Sequence, residues 1–179
     1  NQLEMWQAET FDTATINREL GWAENIGMNS MRVYLHHLAW ELDPEGFKQR
    51  VDTYLAIADK HNISTLFVFF DDCWNPTYKA GKQPDPKPGI HNSGWVRDPG
   101  DLLHSDTTLF VTLERYVRDV LNRFRDDDRI VLWDLYNEPG NSGYGNKSMP
   151  LLKKVFRWAR EENPSQPLSV GVWNKELAD

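Results

Sequence analysis

Four short apolar runs alternate along this chain with four amphipathic helical patterns, and that alternation restricts the fold more than any other feature. The runs are Ser30-Met31-Arg32-Val33-Tyr34-Leu35, then Ser64 to Phe70, Ile130 to Tyr136, and Leu168 to Trp173. None alternates strictly with polar residues, so each predicts a parallel strand covered on both faces. The first helical pattern starts at a capping Asp12, carries Ile16, Leu20, Ala23 and Ile26, and ends near Gly27. The second places Phe47, Val51, Tyr54, Leu55 and Ala58 on one face, and the third runs from Leu109 to Phe124. The fourth, with Ser148 as its expected cap, bears Leu151, Leu152, Val155, Phe156 and Ala159 and stops before Pro164. Such an order implies right-handed βαβ units around a parallel sheet. An open doubly wound sheet and a (β/α)8 barrel both satisfy it.

A chain of 179 residues is long enough for one domain with a real core. Its 40% hydrophobic and 26% charged residues belong to the soluble globular class, and no apolar run approaches a membrane span. A net charge of −7 argues against nucleic acid or an anionic membrane as partner, whereas a neutral sugar is indifferent to it. The single cysteine, Cys73, excludes an internal disulfide. Glycines 140, 143 and 145 follow a strand but lack the lysine of a phosphate loop and do not fit a dinucleotide fingerprint, so no cofactor is expected; the stretch reads as a flexible loop over a cleft. The long irregular stretch from about Cys73 to Ser105 holds five prolines with Trp74, His91, Asn92 and Trp95, and reads as a lid or binding wall.

The third run ends abruptly. Trp133-Asp134-Leu135-Tyr136-Asn137-Glu138 is cut off by Pro139-Gly140, leaving Asn137 and Glu138 at a strand's C-terminal tip. In α/β barrels this is the edge where catalytic side chains sit, and a carboxyl group held there beside an apolar wall is a candidate proton donor. Arg32 lies inside an otherwise apolar strand, where a buried guanidinium needs a carboxylate partner. His36, His37, Asp71 and Asp72 follow the first two strands, placed either to contact sugar hydroxyls or to cap helices and pair with neighbouring charges. Eight tryptophans is a high count. Trp40, Trp74 and Trp173 sit just past strands, with Trp173 the best placed as a stacking platform; Trp22 and Trp158 lie in helices as packing residues.

The tract from Trp133 to Pro139 resembles the fourth-strand signature of clan A glycoside hydrolases, in particular the cellulase-like family 5 type. Gly27-Met28-Asn29-Ser30-Met31-Arg32-Val33 resembles their second strand, with its arginine beneath the active site. The resemblance implies a (β/α)8 TIM barrel of which residues 1–179 form a single incomplete catalytic domain, strands two to five. It implies a retaining enzyme that cleaves β-linked glycans of the glucan, xylan or mannan type, with Glu138 as acid/base and no metal. By the resemblance Asn137 would bind the 2-hydroxyl of the cleaved sugar and Arg32 would orient the nucleophile; by their placement just past strands, His37, Asp72, Trp74 and Trp173 are expected to contact substrate, although family members often have a histidine where this chain has Asp71-Asp72. The nucleophile, a glutamate on the seventh strand, lies beyond this chain, and Glu176 comes too early to be it. The remainder of the barrel is therefore an expected partner, and the isolated chain is expected to be inactive. Placement outside the cell, secreted, periplasmic or at the cell surface, is the expectation, any leader lying outside this chain. Two other readings compete: a metal-dependent barrel hydrolase using His36, His37, Asp71, Asp72 and Glu138, and a non-catalytic glycan-binding barrel.

Overall fold

The computed structural model describes residues 1–101 and 108–174. Its elements are α1 (Gln2–Met5), α2 (Thr13–Asn25), β1 (Ser30–Tyr34), α3 (His37–Leu42), α4 (Pro44–Lys60), β2 (Ser64–Asp71), α5 (Leu109–Phe124), β3 (Ile130–Asn137), α6 (Met149–Glu162) and β4 (Leu168–Gly171). The strands pair in parallel in the unbroken order β1-β2-β3-β4. A doubly wound sheet reverses its strand order at a switch point; among the described residues this sheet does not, and its sequential order is that of a barrel wall. The four anticipated strands and four long helices are all present, and two short helices, α1 and α3, join them.

Local chemistry sets the element ends. Asp12 caps α2 by accepting from the Ala14 and Thr15 amides at 3.0 and 3.1 Å. Gly27 leaves that helix with φ +84°, a left-handed conformation that glycine adopts without a Cβ penalty. Ser148 precedes α6 but makes no capping bond. Its hydroxyl is taken by Asp72 instead, which ties this helix start to the tip of β2.

The core lies between the sheet and its helices. Phe67 and Phe69 stack on Trp133 with ring centroids 5.7 and 5.4 Å apart, and Tyr54, Trp6 and Tyr116 meet the same rings edge-on or tilted. The whole predicted face of α4 is buried, as are Leu113, Tyr116, Val117, Val120, Leu121 and Phe124 of α5. Trp158 joins this core, and Trp40 does too, its indole N–H donating to Asp119 at 2.7 Å. Trp22 and Ile26 go the other way and lie exposed on α2.

By the alternation of the pleat, Arg32, Tyr34, Val68 and Asp134 occupy the face opposite Phe67 and Trp133. The long irregular segment after β2 folds back on it through bridges between Asp71 and Asp98 and between Asn75 and Val96. Gln7 holds it from the other side, exchanging two hydrogen bonds with Gly81 at 3.1 and 2.6 Å. Its last residues, from 102 to Ser105, and Glu176 lie outside the described residues. No helix among the described residues is long and apolar enough to cross a membrane.

Candidate active site

The C-terminal tips of β1, β2 and β3 converge on one polar cluster. Arg32 reaches across from β1 and donates to Asp134 Oδ2 through Nη2 and Nε at 2.5 and 3.2 Å. The same Nη2 donates to Asn137 Oδ1 at 2.9 Å, and Nη1 bonds the Tyr34 hydroxyl. The carboxylate partner expected for Arg32 is thus Asp134. Its burial is less than the strand sequence suggested: the side chain is 37% exposed, because β1 borders the sheet and shows this face to open space. Gly171 makes the packing possible, since a Cβ there would press on Arg32 Nη2 at 3.1 Å and Asn137 Oδ1 at 3.3 Å.

Asn137 is held at both ends. Its carbonyl oxygen takes the Arg32 donor, and its Nδ2 donates to Asp71 Oδ1 at 2.8 Å, which fixes which end is which. Asp71 Oδ1 also accepts from the Cys73 amide at 3.0 Å, while Oδ2 is buried with no hydrogen-bond partner. Burial pushes the Asp71 carboxyl up to about 6, opposed by those donors.

Glu138 follows at once, with φ +48°, a left-handed backbone that few side-chain-bearing residues adopt. The turn is fixed from two sides: the Glu138 amide donates to Gly171 O at 2.6 Å, and the Asn141 amide returns to Glu138 O at 3.0 Å. Its half-buried carboxyl receives Asn141 Nδ2 at 2.5 Å and the Cys73 thiol at 3.1 Å, both on Oε2. Sequence reasoning had no handle on Asn141 or Cys73 here, because neither lies on a strand face whose pattern could single it out.

Other expected contacts fall elsewhere. Asp72 is buried, and its oxygens take the Tyr136 hydroxyl at 2.7 Å, the Gly140 amide at 2.6 Å and the Ser148 hydroxyl. Through these three partners Asp72 braces the turn after β3. His37 is also buried, its amide and Nδ1 both on Asp98, and does not face the cluster. His36 beside it is fully buried, bonded to Arg97 O at 2.9 Å and to the Leu38 amide; burial pushes its imidazole down to about 4 despite nearby Asp98, so it is neutral. The five residues considered for a metal have separate hydrogen-bond partners: His36 has Arg97 and Leu38, His37 has Asp98, Asp71 has Asn137, Asp72 has Ser148, and Glu138 has Cys73. His36, His37 and Asp98 could together surround an ion by distance, but their ligand atoms already hold these hydrogen bonds.

Trp74, φ +72°, turns its ring edge-on to His91 at 5.1 Å and lines a cavity of ≈ 500 Å3 within the long segment. Trp173 stands exposed two residues past Gly171, whose carbonyl anchors Glu138. A second cavity of ≈ 480 Å3 lies beside Arg32, Tyr34 and Trp95; Glu138 lines neither. The loop after β3, read from sequence as flexible, is tied down: the Gly145 amide donates to Gly140 O at 2.8 Å, and Arg97 donates to the Tyr144 hydroxyl at 2.8 Å.

Known structures share this arrangement of elements. The β-mannanase of the blue mussel Mytilus edulis superposes with a TM-score of 0.62 at 20% identity, over 97% of this chain and 56% of that one. The β-1,4-mannanase of the sea hare Aplysia kurodai gives 0.67 at 16% identity, over 96% and 56%. The fold is half of a (β/α)8 barrel. The endo-1,4-β-mannanase of Rhizomucor miehei gives the same picture, with a TM-score of 0.62 at 14% identity over 94% of this chain and 54% of that one. The chain thus spans about half the length of the barrel structures it matches. No protein-family model matches it, and no curated protein does.

Proposed function

We propose that this half-barrel carries the acid/base side of a retaining β-glycosidase acting on β-linked polysaccharide. The observation that carries the reading is the Glu138 carboxyl at the tip of β3, gripped on one oxygen by neutral donors and placed next to an Asn137 fixed at both ends. In a first step the protonated carboxyl gives its hydrogen to the departing glycosidic oxygen while a carboxylate nucleophile takes the anomeric carbon. In the second, the Glu138 carboxylate removes a proton from water, which hydrolyses the glycosyl-enzyme. The nucleophile comes from another strand of the complete barrel, about 5 Å from Glu138 as retaining chemistry requires. Arg32, oriented by Asp134, contributes positive charge on the open face toward that nucleophile. Trp173, exposed beyond β4, offers a sugar its apolar ring face.

Because the neighbours are named as β-mannanases, β-1,4-mannan is the first substrate to assay. In the complete enzyme, Glu138→Gln is expected to lower turnover by about 10²–10⁴-fold, the usual contribution of a positioned acid, while oligosaccharide binding persists. Unchanged turnover removes Glu138 from this role.

A further inference from the structure

We propose that Cys73 is a positioning residue for the Glu138 carboxyl, fixing Oε2 as the anchored oxygen and leaving Oε1 as the one that exchanges the proton. The inference rests on the acid/base reading of Glu138 and adds the device that aims it.

The geometry is specific. The Cys73 sulfur lies 3.1 Å from Glu138 Oε2; Asn141 Nδ2 sits against both of these atoms, 3.4 Å from the sulfur, and Asn137 Nδ2 approaches the sulfur at 3.6 Å. Both amide nitrogens are donors, so the thiol hydrogen goes to a carboxyl group: Glu138 Oε2 lies in hydrogen-bond position, with Asp71 the second carboxyl within reach. Cys73 is only 6% exposed, and its own amide is tied to Asp71 Oδ1, so the sulfur has little freedom to turn elsewhere. Burial, with Asp71 and Glu138 nearby, holds the thiol well above its ordinary range; it stays S–H and remains a donor. Asn141 Nδ2 shares the same carboxyl oxygen at 2.5 Å, whereas Oε1 has no hydrogen-bond partner among the described residues.

A thiol suits this task because it is a weak donor. An acid/base group must release a proton in one step and recover it in the next, so a strong donor on its charged form would bias it toward ionisation. A weak S–H fixes the rotamer with little of that bias. The charged neighbours of the cluster are Asp71 on β2, Arg32 on β1 and Asp134 on β3, and none of them bonds Glu138 directly.

The test uses the complete barrel carrying this segment, with Cys73→Ala, Cys73→Ser and Glu138→Ala compared on an unactivated β-1,4-oligosaccharide and on a 2,4-dinitrophenyl β-glycoside, whose leaving group needs no proton. Cys73→Ala is expected to lower kcat on the oligosaccharide about tenfold, the scale of one weak hydrogen bond, with KM little changed. Cleavage of the dinitrophenyl bond, read as kcat/KM so that the shared hydrolysis of the glycosyl-enzyme does not enter, should hold, and the alkaline limb of the oligosaccharide kcat/KM profile should move to higher pH because the ionised carboxyl has lost a donor. Cys73→Ser, which keeps a donor, should recover most of the oligosaccharide turnover, and it reports on the proposal even if the alanine variant fails to fold. The inference is overturned if Cys73→Ala leaves the oligosaccharide kcat and the pH limb in place, or if kcat/KM falls equally for both substrates with the limb unmoved. If Glu138→Ala abolishes oligosaccharide cleavage while the Cys73 variants change nothing, the inference alone fails. If Glu138→Ala is itself without effect, the acid/base reading falls and takes the inference with it.

Discussion

Arg32 illustrates how one side chain organises this site. Its guanidinium bonds Asp134, Asn137 and Tyr34 at once, so removing a partner unsettles the others. Asp134→Ala leaves the cation without its carboxylate and should cost about 2 kcal/mol in urea unfolding, with the loss reduced by the exposure of Arg32. Arg32→Met in the Asp134→Ala background should add little, because the pair is already broken; additive losses would show that the two act independently. That Arg32 needed a carboxylate was legible in the sequence; which one was not. The answer depends on register: β2 aligns Leu66 with Arg32 and Val68 with Asp134, placing the partners two residues apart along the strands on one face. The partner of His37 was illegible for a similar reason. Asp98, which claims it, lies 61 residues away in a segment without periodicity.

Among elements, the connection between β3 and α6 is the one on which the site depends most. Asp72, at the tip of β2, accepts from Tyr136 in β3, from the Gly140 amide in the turn and from Ser148 at the start of α6. Asp72→Ala strands these donors in a buried setting, and a loss of about 2–4 kcal/mol is expected from chemical denaturation. Asp72→Asn, which keeps one acceptor, should lose less. The helices and strands were readable because each buries a face whose period shows in the sequence, as in α4 and α5. Ser148 was readable only as a residue type suited to a helix start; its actual bond runs to a strand tip 76 residues earlier, a distance no local pattern reports.

At the scale of the whole molecule, two buried groups titrate against each other. His36 is depressed to about 4 from 6.5, so an unfolding chain takes up that proton first; its contribution is full above about pH 6.5 and is lost as pH falls toward 4. Asp71 is raised to about 6 from 3.8, so here the native state takes the proton first and gains stability as pH falls through the same window. The slopes oppose, and the acid sensitivity of the parent should be shallow. Asp71→Asn removes one of them and still accepts from Asn137; its unfolding free energy should fall more steeply between pH 6.5 and 4, and equal slopes in urea titrations would contradict this balance. The sheet edges follow from topology: β1 and β4 each have a single paired neighbour among the described strands. On the proposed reading, the 179-residue chain alone should show no measurable mannan cleavage, and robust turnover by it would mean that its own residues suffice.

The left-handed backbone of Glu138 has a consequence for how such a protein would drift over generations. Asparagine tolerates that conformation at about 1 kcal/mol less than a glutamate, and glycine at less still. A library screened for heat resistance alone should therefore enrich Asn or Gly at position 138, yielding tougher molecules that have surrendered their chemistry. Persistence of glutamate there under purely thermal selection would mean that its grip on Cys73 and Asn141 outweighs the twist it imposes on the chain.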